Sequence, residues 1–170
     1  MIAQSCRHVV GWAFIATTAA ACSGSEKTIG LRFADDACVL RPGALERFGD
    51  PLTPVERRAV ADAARTEVVR AFASLRVRVT DAEDTFWRMA VVRSLPARGS
   101  RVLPRAGESV ALGMLGGGGT VACDVVARKA VTFAPDGAVR ADVVQGIGRG
   151  VGRTAVHEFV HQMLGPAVGH

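Results

Sequence analysis

Aromatic residues are scarce in this chain of 170 residues: phenylalanine, tryptophan and tyrosine together make up 5%, and there is no tyrosine. A surface with so few rings offers little on which nucleic-acid bases can stack. The net charge is +5, but the arginines behind it are scattered and form neither a basic run nor a recognisable nucleic-acid-binding module. We therefore expect no nucleic-acid partner.

A complete phosphate-binding loop is also lacking. Gly113, Gly118 and Thr120 have nearly its spacing, but Gly119 stands where the lysine that holds the phosphate belongs. We interpret the glycine cluster at 116–119 as the flexible tip of a hairpin instead. Strands are then expected on either side of it, at residues 110–115 and 121–126.

No apolar run is long enough for a confident membrane span, which takes about 20 residues. The apolar segment at 9–16 and the alanines before Cys22 resemble the leader of an exported bacterial lipoprotein. Cleavage before Cys22 would make that cysteine the lipidated first residue, and thus anchor an exported cell-envelope protein to a membrane, the outer membrane in particular. Because Ala19 replaces the usual leucine, a plain signal peptide cut after residue 21 stays as the alternative. We assign 1–21 to the leader, 22–27 to a tether and 28–170 to one domain.

Cysteine is equally sparse, with four residues in the chain. Cys6 belongs to the leader and Cys22 to the anchor, which leaves Cys38 and Cys123. Two remaining cysteines in an exported protein suggest one disulfide, although two separate buried thiols are the alternative.

The hydrophobic periodicity predicts an α+β fold. Alternation at 29–33 and 76–80 is typical of strands. A third strand is expected at 86–92 and a short one at 131–133. Thr53, Pro54 and Glu56 form a capping-box signature for a helix that ends near Leu75.

A second helix is expected at 138–145. Four glycines at alternate positions from 146 to 152 argue against its continuing unbroken to residue 164, since each costs about 1 kcal/mol relative to alanine. The stretch from 96 to 107 is rich in Arg, Pro and Gly and is expected to be a loop.

Histidine is rare too, yet three of the four residues fall at the end of the chain: His157, His161 and His170. His157, Glu158 and His161 match His-Glu-x-x-His, the pattern by which a helix presents a zinc ion and a general base. At about 100° per residue the two imidazoles lie roughly 40° apart on one helical face and can reach one ion, with Glu158 beside them. An ordinary helix with a chance match is the alternative. The opposite face is apolar and is expected to be buried; it comprises Ala155, Val156, Phe159, Val160 and Met163.

With Gly152 and Arg153 before the motif and Leu164 and Gly165 after it, the segment resembles the active-site helix of bacterial zincin metallopeptidases, particularly small metzincin-like ones. The resemblance implies a zincin-like upper subdomain with a mixed sheet and a backing helix, and zinc as the cofactor. It also implies a peptide or protein substrate that pairs with an edge strand.

The chain departs from this family at its end. The third ligand of the family is expected at His170, nine residues after His161, where a turn at Gly165 could bring it back to the metal. The family's methionine turn would lie beyond His170, so the C-terminal subdomain is expected to be largely missing.

The expected function is zinc-dependent hydrolysis of peptide bonds, with His157, His161 and His170 as metal ligands and Glu158 as the catalytic base. The alternative is a catalytically incomplete zinc-binding lipoprotein with a binding or structural role.

The lipid anchor is open to a direct test. We expect the mature protein to partition into detergent, because lipidation adds buried acyl chains at Cys22. Cys22→Ser should release the protein from the membrane or block its processing, as measured by detergent partitioning and by mass spectrometry of the N-terminus. An unmodified mature protein that begins at Cys22 in the soluble fraction would contradict lipidation and leave export intact.

Overall fold

The computed structural model describes residues 26–49, 51–96, 105–112 and 116–164. The predicted leader at 1–21, Cys22 and His170 lie outside these ranges. None of the described helices combines the length and the apolar character needed to cross a bilayer.

Within the described residues the fold is α+β, as predicted, and a short 3-10 turn at Glu46–Phe48 precedes the first helix. In chain order the elements are β1 (Lys27–Phe33), α1 (Pro54–Ala71), β2 (Val77–Thr80), β3 (Trp87–Val92), β4 (Gly107–Ala111), β5 (Gly117–Ala122), α2 (Cys123–Thr132) and α3 (Arg140–Leu164).

The five strands form one mixed sheet in the order β2-β1-β3-β5-β4. β1 runs parallel to β2 and β3, and β3 runs parallel to β5, whereas β4 pairs antiparallel with β5. Helix α3 packs against β3, β5 and β4, and α1 packs against α3 and β2. The antiparallel strand β4 therefore lies at a sheet edge next to α3.

The core lies between the sheet and these helices. Ile29 and Leu31 of β1 are fully buried, as predicted, but Gly30 between them is also buried and Phe33 is only half-buried. Met89 and Val91 are buried at alternate positions of β3. They join one cluster with residues of α1 and α3, among them Val60, Val68, Ile147 and Phe159.

The capping box of α1 is confirmed. Thr53 Oγ1 accepts a hydrogen bond from the Glu56 amide at 3.2 Å, and Glu56 Oε2 accepts one from the Thr53 amide at 2.8 Å. Two N–H groups at the helix start are thereby satisfied by residues of the local sequence.

The prediction that glycines interrupt the last helix was wrong, because α3 runs unbroken from Arg140 to Leu164. A Cβ on Gly148 would lie 2.5 Å from the Ala63 Cβ, and one on Gly152 would lie 2.7 Å from the Ala64 carbonyl oxygen. The absent side chains let the backbones of α3 and α1 approach each other. Close packing thus outweighs the poor helix propensity of glycine.

Three further local predictions need correction. The antiparallel pairing of β4 with β5 confirms a hairpin, but Gly117–Gly119 lie inside β5 and not at its tip. The strands expected at 121–126 and 131–133 are mostly helix α2, of which Cys123, Val126 and Ala127 are buried on one face. Short apolar runs of this kind do not distinguish a strand from a buried helix. The loop expected at 96–107 ends earlier than predicted, because β4 begins at Gly107.

Cys38 and Cys123 form a disulfide, as predicted, with their Cα atoms 5.5 Å apart. The bond joins the loop after β1 to the first residue of α2, across a sequence separation of 85. Both cysteines are buried, at 3% and 0% exposure. The disulfide therefore crosslinks distant parts of the chain within the core.

An ion pair joins the first turns of α1 and α3. Arg140 Nε and Nη2 donate to Glu56 Oε1 and Oε2 at 2.6 and 3.0 Å, and Arg140 Nη1 donates to the Phe48 carbonyl at 2.6 Å. The hydrogen bond from Arg140, together with that from the Thr53 amide, lowers the pKa of Glu56 to about 2.

This low pKa predicts acid-sensitive stability. Because the pKa of Glu56 is lower in the folded chain than in the unfolded chain, its contribution is present above the ordinary value of 4.5 and is lost as pH falls towards 2. Glu56→Gln keeps a capping-box acceptor but removes the charge, so we expect its Tm to lie below that of the parent by about 2–6 °C at pH 7. The difference should shrink between pH 4.5 and 2 in calorimetric scans. Glu46→Gln, at an exposed position, is the control; an equal loss in that variant would contradict the assignment.

Candidate active site

The last turns of α3 carry the His-Glu-x-x-His motif. His157 is exposed and His161 half-buried, and their Nε2 atoms lie 3.0 Å apart. The two rings stand nearly perpendicular, with centroids separated by 4.5 Å. The helix thus brings both imidazoles to one point on its outer face, as the spacing predicted.

This pair fits two ligands of a zinc ion. Nitrogens bound at about 2.0–2.1 Å in a tetrahedral site lie roughly 3.3 Å apart, within a few tenths of an ångström of the separation between these Nε2 atoms. Among the described residues, no group of three histidine, cysteine or acidic side chains could hold a metal. The predicted third ligand, His170, lies outside the described part of the chain. Within the described residues the candidate site therefore consists of two imidazoles.

Glu158 points towards the sheet. It is 8% exposed, and its Oε2 accepts a hydrogen bond from the Ser109 hydroxyl of β4 at 2.6 Å. On the helix it lies about 60° from His161. The carboxylate therefore occupies the side of α3 that faces β4, next to the side that carries the imidazoles.

A glycine of β4 makes room for this carboxylate. A Cβ on Gly107 would lie 2.8 Å from Glu158 Oε1 and 2.9 Å from the Thr154 methyl group. Gly107 and Ser109 are two positions apart on the strand and so face the same side of the sheet. One of them leaves space for the carboxylate and the other donates a hydrogen bond to it.

Neither of these residues of β4 was predicted from the sequence. Gly107 fell in the expected loop, and Ser109 stood before the expected strand at 110–115. Ser109 lies 49 positions from Glu158, and a single serine carries no signal of such a contact. The alternation of side chains between the two faces of β4 would have pointed to these residues only if the start of the strand and its pairing with β5 had been known.

The outer edge of β4 has main-chain groups that point away from the sheet. Leu112 donates from its amide to the Gly116 carbonyl, and the Ala122 amide donates to the Ala106 carbonyl. Because hydrogen bonding alternates along an antiparallel pair, the even-numbered residues of β4 bond to β5. The N–H and C=O groups of Gly107, Ser109 and Ala111 consequently face the open edge, where the described residues supply no further strand.

The burial of α3 differs in part from the apolar face that was expected. Ala155 and Phe159 are fully buried, but Val156, Val160 and Met163 are only half-buried. Two further buried side chains in the last turns of α3 are polar: Glu158, which is 8% exposed, and Gln162, which is 2% exposed. The reason is that α3 packs on two sides, with one face against α1 and another beneath β4 and β5.

Two contacts hold this orientation of the helix. Gln162 Nε2 donates to the Arg88 carbonyl of β3 at 3.2 Å. Arg153 Nε donates to Glu67 Oε1 of α1 at 2.9 Å, and this hydrogen bond lowers the pKa of Glu67. The helix is thus fixed to the sheet on one side and to α1 on the other.

Comparison of the chain with protein-family models, with curated proteins and with solved structures gives no match.

Proposed function

We propose that this chain is a zinc-dependent peptide hydrolase of the metzincin-like zincin type, exported and held at a membrane by a lipid on Cys22. The observation that carries the proposal is the adjacency of three features. The Nε2 atoms of two imidazoles lie 3.0 Å apart, and the adjoining side of the helix carries a buried carboxylate. That carboxylate accepts a hydrogen bond from a serine of the edge strand β4.

The arrangement of elements supports this proposal. The resemblance implied a mixed sheet, a backing helix and an active-site helix. The fold has a mixed five-stranded sheet, α1 behind α3, and the motif on α3. An edge strand for peptide pairing was also implied, and β4 is the edge strand in contact with α3.

His157 and His161 would hold the zinc, with His170 as the proposed third ligand. When bound, zinc supplies a Lewis acid that polarises a water molecule and the scissile carbonyl. Glu158 then accepts the proton of the attacking water and delivers it to the leaving amine.

The substrate in this proposal is an extended peptide segment. Main-chain groups of Gly107, Ser109 and Ala111 face the open edge of β4 and can pair with such a segment as an added strand. Side-chain pockets would then determine which peptides bind. Pairing at this edge would bring the peptide alongside Glu158, because Ser109 belongs to both contacts.

A zinc-binding lipoprotein without turnover is the second candidate. The observation that favours it is the engagement of Glu158, whose carboxylate is 8% exposed and bonded to Ser109. In that case the motif would hold a metal while the same edge strand binds a partner peptide.

Substitutions in the motif separate metal binding from chemistry. His157→Ala and His161→Ala should each reduce the zinc content of purified protein sharply, because each removes a nitrogen ligand. Glu158→Gln should keep zinc near the parental level and abolish cleavage of a quenched fluorescent peptide library, because the amide cannot accept the proton of water. His170→Ala should weaken zinc binding if the terminal histidine is the third ligand.

Arg149→Ala, at an exposed position earlier on α3, is the control for both measurements. Loss of zinc from Glu158→Gln to the extent seen in the histidine variants would contradict the role of general base. Zinc retention with no chelator-sensitive cleavage by the parent would favour the second candidate. If neither histidine variant lowered the zinc content, the motif would be a chance match.

A further inference from the structure

We propose that Ser109 is a positioning residue that links the peptide-binding edge of β4 to Glu158. This inference rests on the proposed function, because it assigns Glu158 as the base and β4 as the strand that receives the substrate. It adds a residue outside the His-Glu-x-x-His motif and a reason why an extended peptide is the substrate.

The Ser109 hydroxyl fixes the orientation of the Glu158 carboxylate. The Ser109 hydroxyl donates to Glu158 Oε2 at 2.6 Å and so fixes one of the two oxygens. Oε1 lies over Gly107, where a side chain would come within 2.8 Å of it. Ser109 therefore holds the side chain by Oε2, and the proposed proton transfer is assigned to Oε1.

The second step concerns burial. Glu158 is 8% exposed, and a buried carboxylate is costly unless it accepts hydrogen bonds. Without the Ser109 hydroxyl, the side chain would gain by rotating towards solvent. Such rotation would remove the base from the edge strand and leave the imidazole pair unchanged.

The third step joins the carboxylate to the substrate. Ser109 contacts Glu158 through its side chain, while its own N–H and C=O groups face the open edge of β4. A peptide that pairs with those groups fixes the backbone of the residue that orients the base. Occupation of the edge and orientation of Glu158 are thereby coupled, which favours peptides long enough to pair along Gly107–Ala111.

Kinetics of the zinc-loaded protein test the role. Ser109→Ala should lower kcat for an extended quenched fluorescent peptide by about 10-fold to 100-fold, since misplacing a catalytic group by 1 Å costs that much. KM should stay within about twofold, because the main-chain pairing is retained. Ser109→Thr keeps the hydroxyl and should restore most of kcat.

Ser74→Ala is the matched control, because it is the same substitution at another serine. Ser74 is exposed in the turn after α1 and lies outside the sheet, so its truncation should leave kcat unchanged. A kcat for Ser109→Ala equal to that of Ser74→Ala would overturn the positioning role while the proposed hydrolase survives. A parent protein with no zinc-dependent cleavage would overturn the hydrolase and this role together.

A second measurement uses the metal-free protein and needs no activity. Ser109→Ala should lower Tm by about 2–6 °C, because it leaves a buried carboxylate without its donor. In a Glu158→Leu background the same substitution should shift Tm by much less, since no carboxylate remains to be satisfied. Equal shifts in the two backgrounds would show that the hydroxyl does not act through Glu158 and would overturn the inference.

Discussion

The close contact between α1 and α3 sets the geometry on which the rest of the structure depends. Gly148 and Gly152 have no side chains, so the α3 backbone lies against α1 at the positions of Ala63 and Ala64. The ion pairs of Arg140 and Arg153 with residues of α1 fix the same two helices at the start and in the middle of α3. Because one face of α3 packs against α1, the adjoining face packs against the sheet. Near the end of the helix that face includes Glu158 and Gln162.

Packing at the sheet is correspondingly unusual, because polar side chains lie where apolar ones normally would. Gln162 fits beneath β5 since a Cβ on Gly117 would come within 2.7 Å of it, and Glu158 fits beneath β4 beside Gly107. Gly107 and Gly117 therefore leave room for side chains of α3 and are not turn residues. Large apolar residues on both strands would give a stronger core but would exclude the carboxylate and the amide.

Signals confined to one element allowed correct predictions from the sequence. The capping box of α1, the alternation of Ile29 and Leu31, and the histidine spacing on α3 each depend on neighbours within a few residues. Predictions failed where distant contacts decide the outcome. Glycines suggested a hairpin tip and a helix break because their packing partners lie on other elements, and α2 was taken for strand because a short apolar run fits either structure. The disulfide could be anticipated because only two cysteines remained to pair once Cys6 and Cys22 were assigned to the predicted leader and anchor. Nothing in the sequence restricted the partner of Ser109 in that way.

The site, more than the fold, carries the functional argument, because mixed sheets with packed helices serve many chemistries. Two histidines one turn apart on an exposed helix are by themselves unexceptional. Glu158 is different, since burying a carboxylate is costly unless hydrogen bonds compensate for the lost water. A helix that served only to fill the core would gain nothing from a carboxylate at 8% exposure. Its position beside an imidazole pair, with a hydroxyl donor on an open edge strand, is the arrangement that the proposed role of proton acceptor requires.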